Sequence, residues 1–206
     1  MRDATVSCPV RGASGRKSNN NILHAGLTLK SMRTNLNDKV GHGDLLLWTP
    51  QIAGDPCERT LFITAQINEE FDDDTWQDKS MAFRYAQLAA DFDRYVIGDT
   101  IPIGMEPYDK GDNAFMARIS PVEYGIWAIR SVAPKPAIRV LGAFCERDVF
   151  IALVTRRRAE LGGPGSREWS QAREAAIALW ENLFPGEARL LGDNVNDFFS
   201  EKAIAV

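Results

Sequence analysis

YGIWAIRS (residues 124–131), VAPKPA (132–137), IRVLGAFC (138–145), ERD (146–148) and VFIALVT (149–155), closing on Arg156, Arg157 and Arg158, form the stretch that decides the fold. Three runs rich in Ile, Val, Phe and Trp are separated by two turns. One turn carries Pro134 and Pro136, the other is the charged Glu146 to Asp148. Runs of that length and composition between short turns predict an antiparallel three-stranded meander. A helix predicted over residues 75–93 precedes it, and another over residues 166–184 follows. The fold class is therefore read as α+β: an antiparallel sheet with a three-stranded meander, a helix before it and a helix after it.

Working outward toward the N-terminus, residues 115–119 predict a further edge strand, and residues 98–111, with Pro102, Pro107 and three glycines, predict a loop. Tyr95 to Ile97 suggests the start of a strand. The predicted helix at 75–93 shows Met81, Phe83, Tyr85, Leu88, Ala89 and Phe92 as a broad apolar face, with Asp72 to Asp74 favouring its positive end. Further back two signals compete. Asp55-Pro56-Cys57-Glu58 has the order of a helix start, whereas the β-branched alternation of residues 60–67 favours a strand. Residues 44–49 (DLLLWT), between Gly43 and Pro50, read as a buried strand. Residues 1–40 are polar and lack a period, which predicts a flexible basic extension before a single α+β domain at 41–206.

Toward the C-terminus, GGPG (162–165) is a firm break, and Ser166 is a capping residue for the second helix. Trp169, Ala172, Ala176 and Trp180 recur at three- to four-residue intervals, which predicts a stripe facing the core. Pro185-Gly186 ends the helix, and Phe198 and Phe199 give the tail something to dock.

A chain of 206 residues with 45% hydrophobic and 25% charged residues suits one well-buried core. No apolar run is long enough for a transmembrane helix, and the N-terminus has no apolar signal core. Cys8, Cys57 and Cys145 show no paired spacing, from which a reducing cytoplasm is the simplest inference. The net charge of −4 is unevenly spread. Residues 54–113 carry fourteen acids against five Lys/Arg, while residues 114–160 carry eight Lys/Arg against four acids. A basic meander beside an acidic segment can attract polyanions locally against the global charge. The same pattern also serves simple neutralisation across a surface.

YGIWAIR at 124–130, IRV at 138–140, and the strand from Asp148 to Thr155 closing on three arginines together resemble the C-terminal sheet of RelE/ParE-type toxins. That resemblance implies a cytoplasmic toxin-like protein, in its ribosome-dependent branch an mRNA endoribonuclease, with RNA or the ribosome and an antitoxin protein as partners. It assigns Arg130 and Arg158, at the ends of the first and last meander strands, to phosphate charge in catalysis, and Arg139, Arg156 and Arg157 to RNA binding. Positive charge where phosphate charge builds is what such cleavage needs, and arginine binds phosphate as a fork. The acid/base group departs from the family's pattern. No histidine follows His42 and no tyrosine follows Arg158, so Tyr124 is the substitute to consider. The same sheet also reads as the docking surface of a non-catalytic, phage- or plasmid-borne interaction protein.

No cofactor or metal is called for. Gly41-His42-Gly43-Asp44 offers one His and one Asp, too few for a divalent site. The acids at 69–74 lack the glycine and spacing of a calcium loop.

Overall fold

A computed structural model of the protein describes residues 32–71, 79–108 and 111–206. In chain order they form α1 (Met32–His42), β1 (Leu45–Leu47), β2 (Thr60–Thr64), α2 (Ala65–Phe71), α3 (Lys79–Val96), β3 (Ile101–Gly104), β4 (Met116–Arg118), β5 (Ile126–Ser131), β6 (Ile138–Glu146), β7 (Val149–Arg157), α4 (Arg167–Leu183), α5 (Val195–Phe198) and β8 (Ala203–Ala205). The chain is α+β.

The residues of the meander form three consecutive antiparallel strands, with Ile129 opposite Val140 and Leu141 opposite Val154. They are the centre of something larger. The sheet has eight strands in the order β1-β2-β7-β6-β5-β4-β3-β8, and it is mixed, which corrects the expectation of an antiparallel sheet. Strand β2 runs parallel to β7, and β3 runs parallel to both β4 and β8. These pairings join segments far apart in the chain, so no local turn announces them.

Side chains alternate across the sheet, and both faces are covered. Trp127, Ile129, Val140, Phe144 and Phe150 point to one face, under Ile67 of α2, Leu88 and Phe92 of α3, and Phe198 of α5. Ile126, Ala128, Leu141, Ile151 and Leu153 point to the other, under Ala172, Ala176 and Trp180 of α4 and Leu36 of α1. Burying each large apolar side chain contributes about 1.5–3 kcal/mol. Helix α4 begins where expected, because the Ser166 hydroxyl accepts the Trp169 N–H at 3.2 Å.

Several local expectations are revised. Tyr95 and Val96 do not begin a strand; they finish α3, both fully buried, since the spacing from Leu88 through Phe92 keeps them on its apolar face. The predicted loop at 98–111 contains β3. Its Pro102 has no N–H to donate, but its carbonyl accepts the Phe115 N–H at 2.7 Å. Strand β4 lies between β5 and β3 rather than at an edge. Residues 60–67 divide, giving strand β2 and then the first turn of α2.

Of the extension expected at 1–40, residues 1–31 lie outside the described residues. Residues 32–40 belong to α1, which buries Leu36, pairs Arg33 with Glu146 at 3.2 Å, and joins Asn35 to Glu187 at 2.9 Å. Cys145 is a free thiol, pushed up to about 12 by burial and by Glu146. Among the described residues no helix is long and apolar enough to cross a membrane.

Candidate phosphate-binding site

The register of β5 on β6 sets Arg130 directly opposite Arg139. Their neighbours Ile129, Ile138 and Val140 face α3, so strand alternation sends both arginines to the α4 side. Helix α4 covers that face farther along, and near its start it leaves a concavity of about 450 Å3. Ala117 of β4 and Ala128 of β5, both small, line it together with Arg130 and Arg139. Pro107, Tyr108 and Asp112 come from the segment after β3, while Pro164, Gly165, Trp169, Ser170 and Arg173 come from the start of α4 and the turn before it. Arg118 and Arg158 also line it, giving five arginines against the single carboxylate of Asp112 among the described residues.

Four of the five guanidinium groups are tied to backbone oxygens. Arg130 Nη1 donates to the carbonyls of Gly111 and Ala114, at 3.0 and 3.2 Å. Arg158 Nη1 donates to Gly162 at 2.6 Å, with its guanidinium 6.0 Å from the Trp169 ring centre. Arg173 Nη1 donates to Ser120 at 2.7 Å, while its Nε is buried without a partner. Arg139 is 7% exposed and donates only to the carbonyl of its own neighbour, Ile138, at 3.1 Å. Burial, then Arg130, Arg158 and Arg84, push its pKa down to about 10. Burial also lowers Arg130, with Asp112 opposing and Arg158 adding to the shift. None of the five forms an ion pair among the described residues. Like charges set directly opposite across strands disfavour folding, and a buried charge without a partner costs more. The arrangement is therefore expensive in the unliganded protein and suited to receiving an anion.

The residues singled out from the sequence are divided by the fold. Arg130, Arg139 and Arg158 meet in the concavity. Arg156 and Arg157 line a separate cleft with Glu70, Tyr85, Thr155 and Glu160. There Glu70 accepts bonds from the Tyr85 and Thr155 hydroxyls at 2.7 and 2.6 Å. Tyr124 ends a 3-10 turn at Val122–Tyr124, outside the concavity's lining, and Arg173 lies over its ring at 5.4 Å. Trp169, expected on a core-facing stripe, does pack against the core beneath α4, but it is only half-buried and also forms part of the concavity's wall. Arg118 and Arg173 were not singled out at all. Arg173 stands one helical turn after Trp169, and that i, i+4 spacing was the available signal.

At the Gly41–Asp44 turn, Asp44 pairs with Lys39 at 3.1 Å. Among the described residues no group of three His, Cys, Asp or Glu could hold a metal ion. No protein-family model, curated protein or solved structure matches the chain.

Proposed function

We propose that the protein binds the phosphate groups of a nucleotide, free or within a strand, in the concavity between β4–β6 and the start of α4. The observation that carries this reading is Arg139, a nearly buried residue with arginines for neighbours and, among the described residues, no acid paired to it. Phosphate oxygens match the planar fork of arginine and supply the charge these groups lack. The positive end of α4 adds to the same field. Direct titration of nucleotides and short RNA at low salt tests the proposal. Arg158→Ala removes a charge-assisted contact of about 1.5–3 kcal/mol, roughly 10- to 150-fold in affinity, and Lys at that position restores only part. If neither nucleotides nor RNA bind the wild type, the reading is wrong.

A second reading is the toxin-like one, a ribosome-dependent mRNA endonuclease of the RelE/ParE type with an antitoxin partner. It is supported by Arg130 and Arg158, which lie in one concavity as phosphate-stabilising groups would need. Its acid/base group would come from a phenol. Tyr108, 72% exposed, lines the concavity, whereas Tyr124 does not. Growth arrest on expression, relieved by Arg130→Ala and by Arg158→Ala in folded protein, is the expected result. A wild type that neither arrests growth nor cleaves RNA on ribosomes removes this reading and leaves a non-catalytic binding protein.

A further inference from the structure

We infer that the concavity takes a terminal phosphate, the monoester or polyphosphate end of a nucleotide, in preference to phosphates inside a strand, and that Trp169 receives the attached base. The inference rests on the phosphate-binding reading and narrows it by depth, charge and shape.

Depth comes first. Arg139 is 7% exposed, so a phosphate can reach it only by entering the recess. An internal phosphodiester carries a sugar on each side, and both would have to follow it in. A terminal phosphate enters end-on and presents three free oxygens to guanidinium forks. Charge points the same way. An internal phosphate brings one negative charge, whereas a phosphomonoester brings about 1.5 to 2 at neutral pH, and a polyphosphate end brings more. Among the described residues, five arginines against Asp112 leave an excess of four positive charges to be met. A cavity of about 450 Å3 falls among sites that enclose compact ligands.

The walls supply the remaining element. Trp169 is half-buried beside the arginines, and the Arg158 guanidinium lies 6.0 Å from its ring centre. A phosphate held by Arg158 therefore sits next to an indole. Aromatic rings stack on any base without reading its sequence, so the geometry favours a phosphorylated nucleoside over inorganic phosphate and leaves base identity open.

The experiment uses the full chain and a 3′-labelled single-stranded RNA carrying a 5′-triphosphate, a 5′-monophosphate or a 5′-hydroxyl. ATP, GTP and pyrophosphate serve as competitors. The phosphorylated ends are expected to bind at least about tenfold tighter than the hydroxyl end, the loss of roughly one charge-assisted contact. Nucleoside triphosphates should compete better than pyrophosphate, and Trp169→Leu should erase that difference. Competition by nucleotides at affinities equal to the strand identifies a free nucleotide as the source, and weak competition identifies a strand end. Arg139→Gln should lose the preference for a phosphorylated end, and Arg158→Ala provides the same reading if the Gln variant does not fold. Equal binding of hydroxyl and phosphorylated ends, both lost in Arg158→Ala, overturns this inference and leaves the phosphate-binding reading standing. Absence of all binding overturns both.

Discussion

Arg59 and Arg139 are almost equally buried, at 4% and 7% exposure, yet their surroundings differ in kind. Arg59 gives its protons to the carbonyls of Tyr95, Asp99, Glu201 and Lys202, at 2.9–3.3 Å, and lies over the rings of Tyr95 and Phe199. It is a fully employed staple between α3 and the last strand. Arg139 has one backbone partner and three cationic neighbours. Arg59→Met should therefore destabilise the fold by about 1–3 kcal/mol for each carbonyl left without a partner. Arg139→Leu should do the reverse, stabilising the ligand-free protein by about 1–3 kcal/mol while abolishing anion binding. Each kcal/mol corresponds to about 2–4 °C in a chain of this size, so melting curves at neutral pH decide the matter. A lower melting point for Arg139→Leu would show that its charge is compensated after all. The pH dependence has a definite sign. Below pH 10 folded and unfolded chains both carry the Arg139 charge, and its destabilising effect is complete. Above pH 10 the folded protein sheds that proton before the unfolded chain does, so the destabilisation is relieved as pH rises.

At the scale of elements, β6 shows how tightly the centre of the sheet is specified. The register between β6 and β7 shifts between Leu141 and Gly142. A Cβ at Gly142 would meet the Ile151 carbonyl oxygen at 2.1 Å and the Phe150 ring at 2.6 Å. Both are interior atoms with no room to retreat. Gly142→Ala should cost about 1–3 kcal/mol or more by overpacking, read as a lower urea midpoint, and an unchanged midpoint would mean that β6 slides freely on β7. The meander itself was legible because composition and turns are local signals, and α4 was legible because Trp169, Ala172, Ala176 and Trp180 keep a helical period beyond a capping serine. The flanks were not. Nothing within LFIT (residues 61–64) says that its partner is Phe150, and nothing in the proline-bearing IPIG of β3 says that it will pair with Met116 and Ala203. The site was half legible for the same reason. Arg130, Arg139 and Arg158 belong to the meander, whereas Arg118 and Arg173 reach the concavity only through the packing of β4 and α4. Arg156 and Arg157, adjacent in sequence to Arg158, are carried to a different cleft.

For the whole molecule, the formal charge is −4 while the concavity is strongly positive. A polyanion is thus repelled by much of the surface and attracted at one place, which orients encounters as well as holding the ligand. Binding should weaken linearly in log–log form as salt rises, with a slope of about 0.7 for each strand phosphate engaged. Titrations across a range of potassium chloride concentrations give that slope directly, and an affinity indifferent to salt would contradict a charge-driven site. The mixed sheet carries a further consequence, for the order of assembly. Thr60 must wait for Val149 to find its neighbour, and Ile101 must wait for Ala203. On a ribosome, β2 emerges with Leu61 and Ile63 bare and its pairing edge open long before β7 exists. The hairpins of the meander can form as they appear, but the flanks close last and over long loops. This is the topology of a slow folder, one whose unpaired strand edges stay open to aggregation until the C-terminal strands are made.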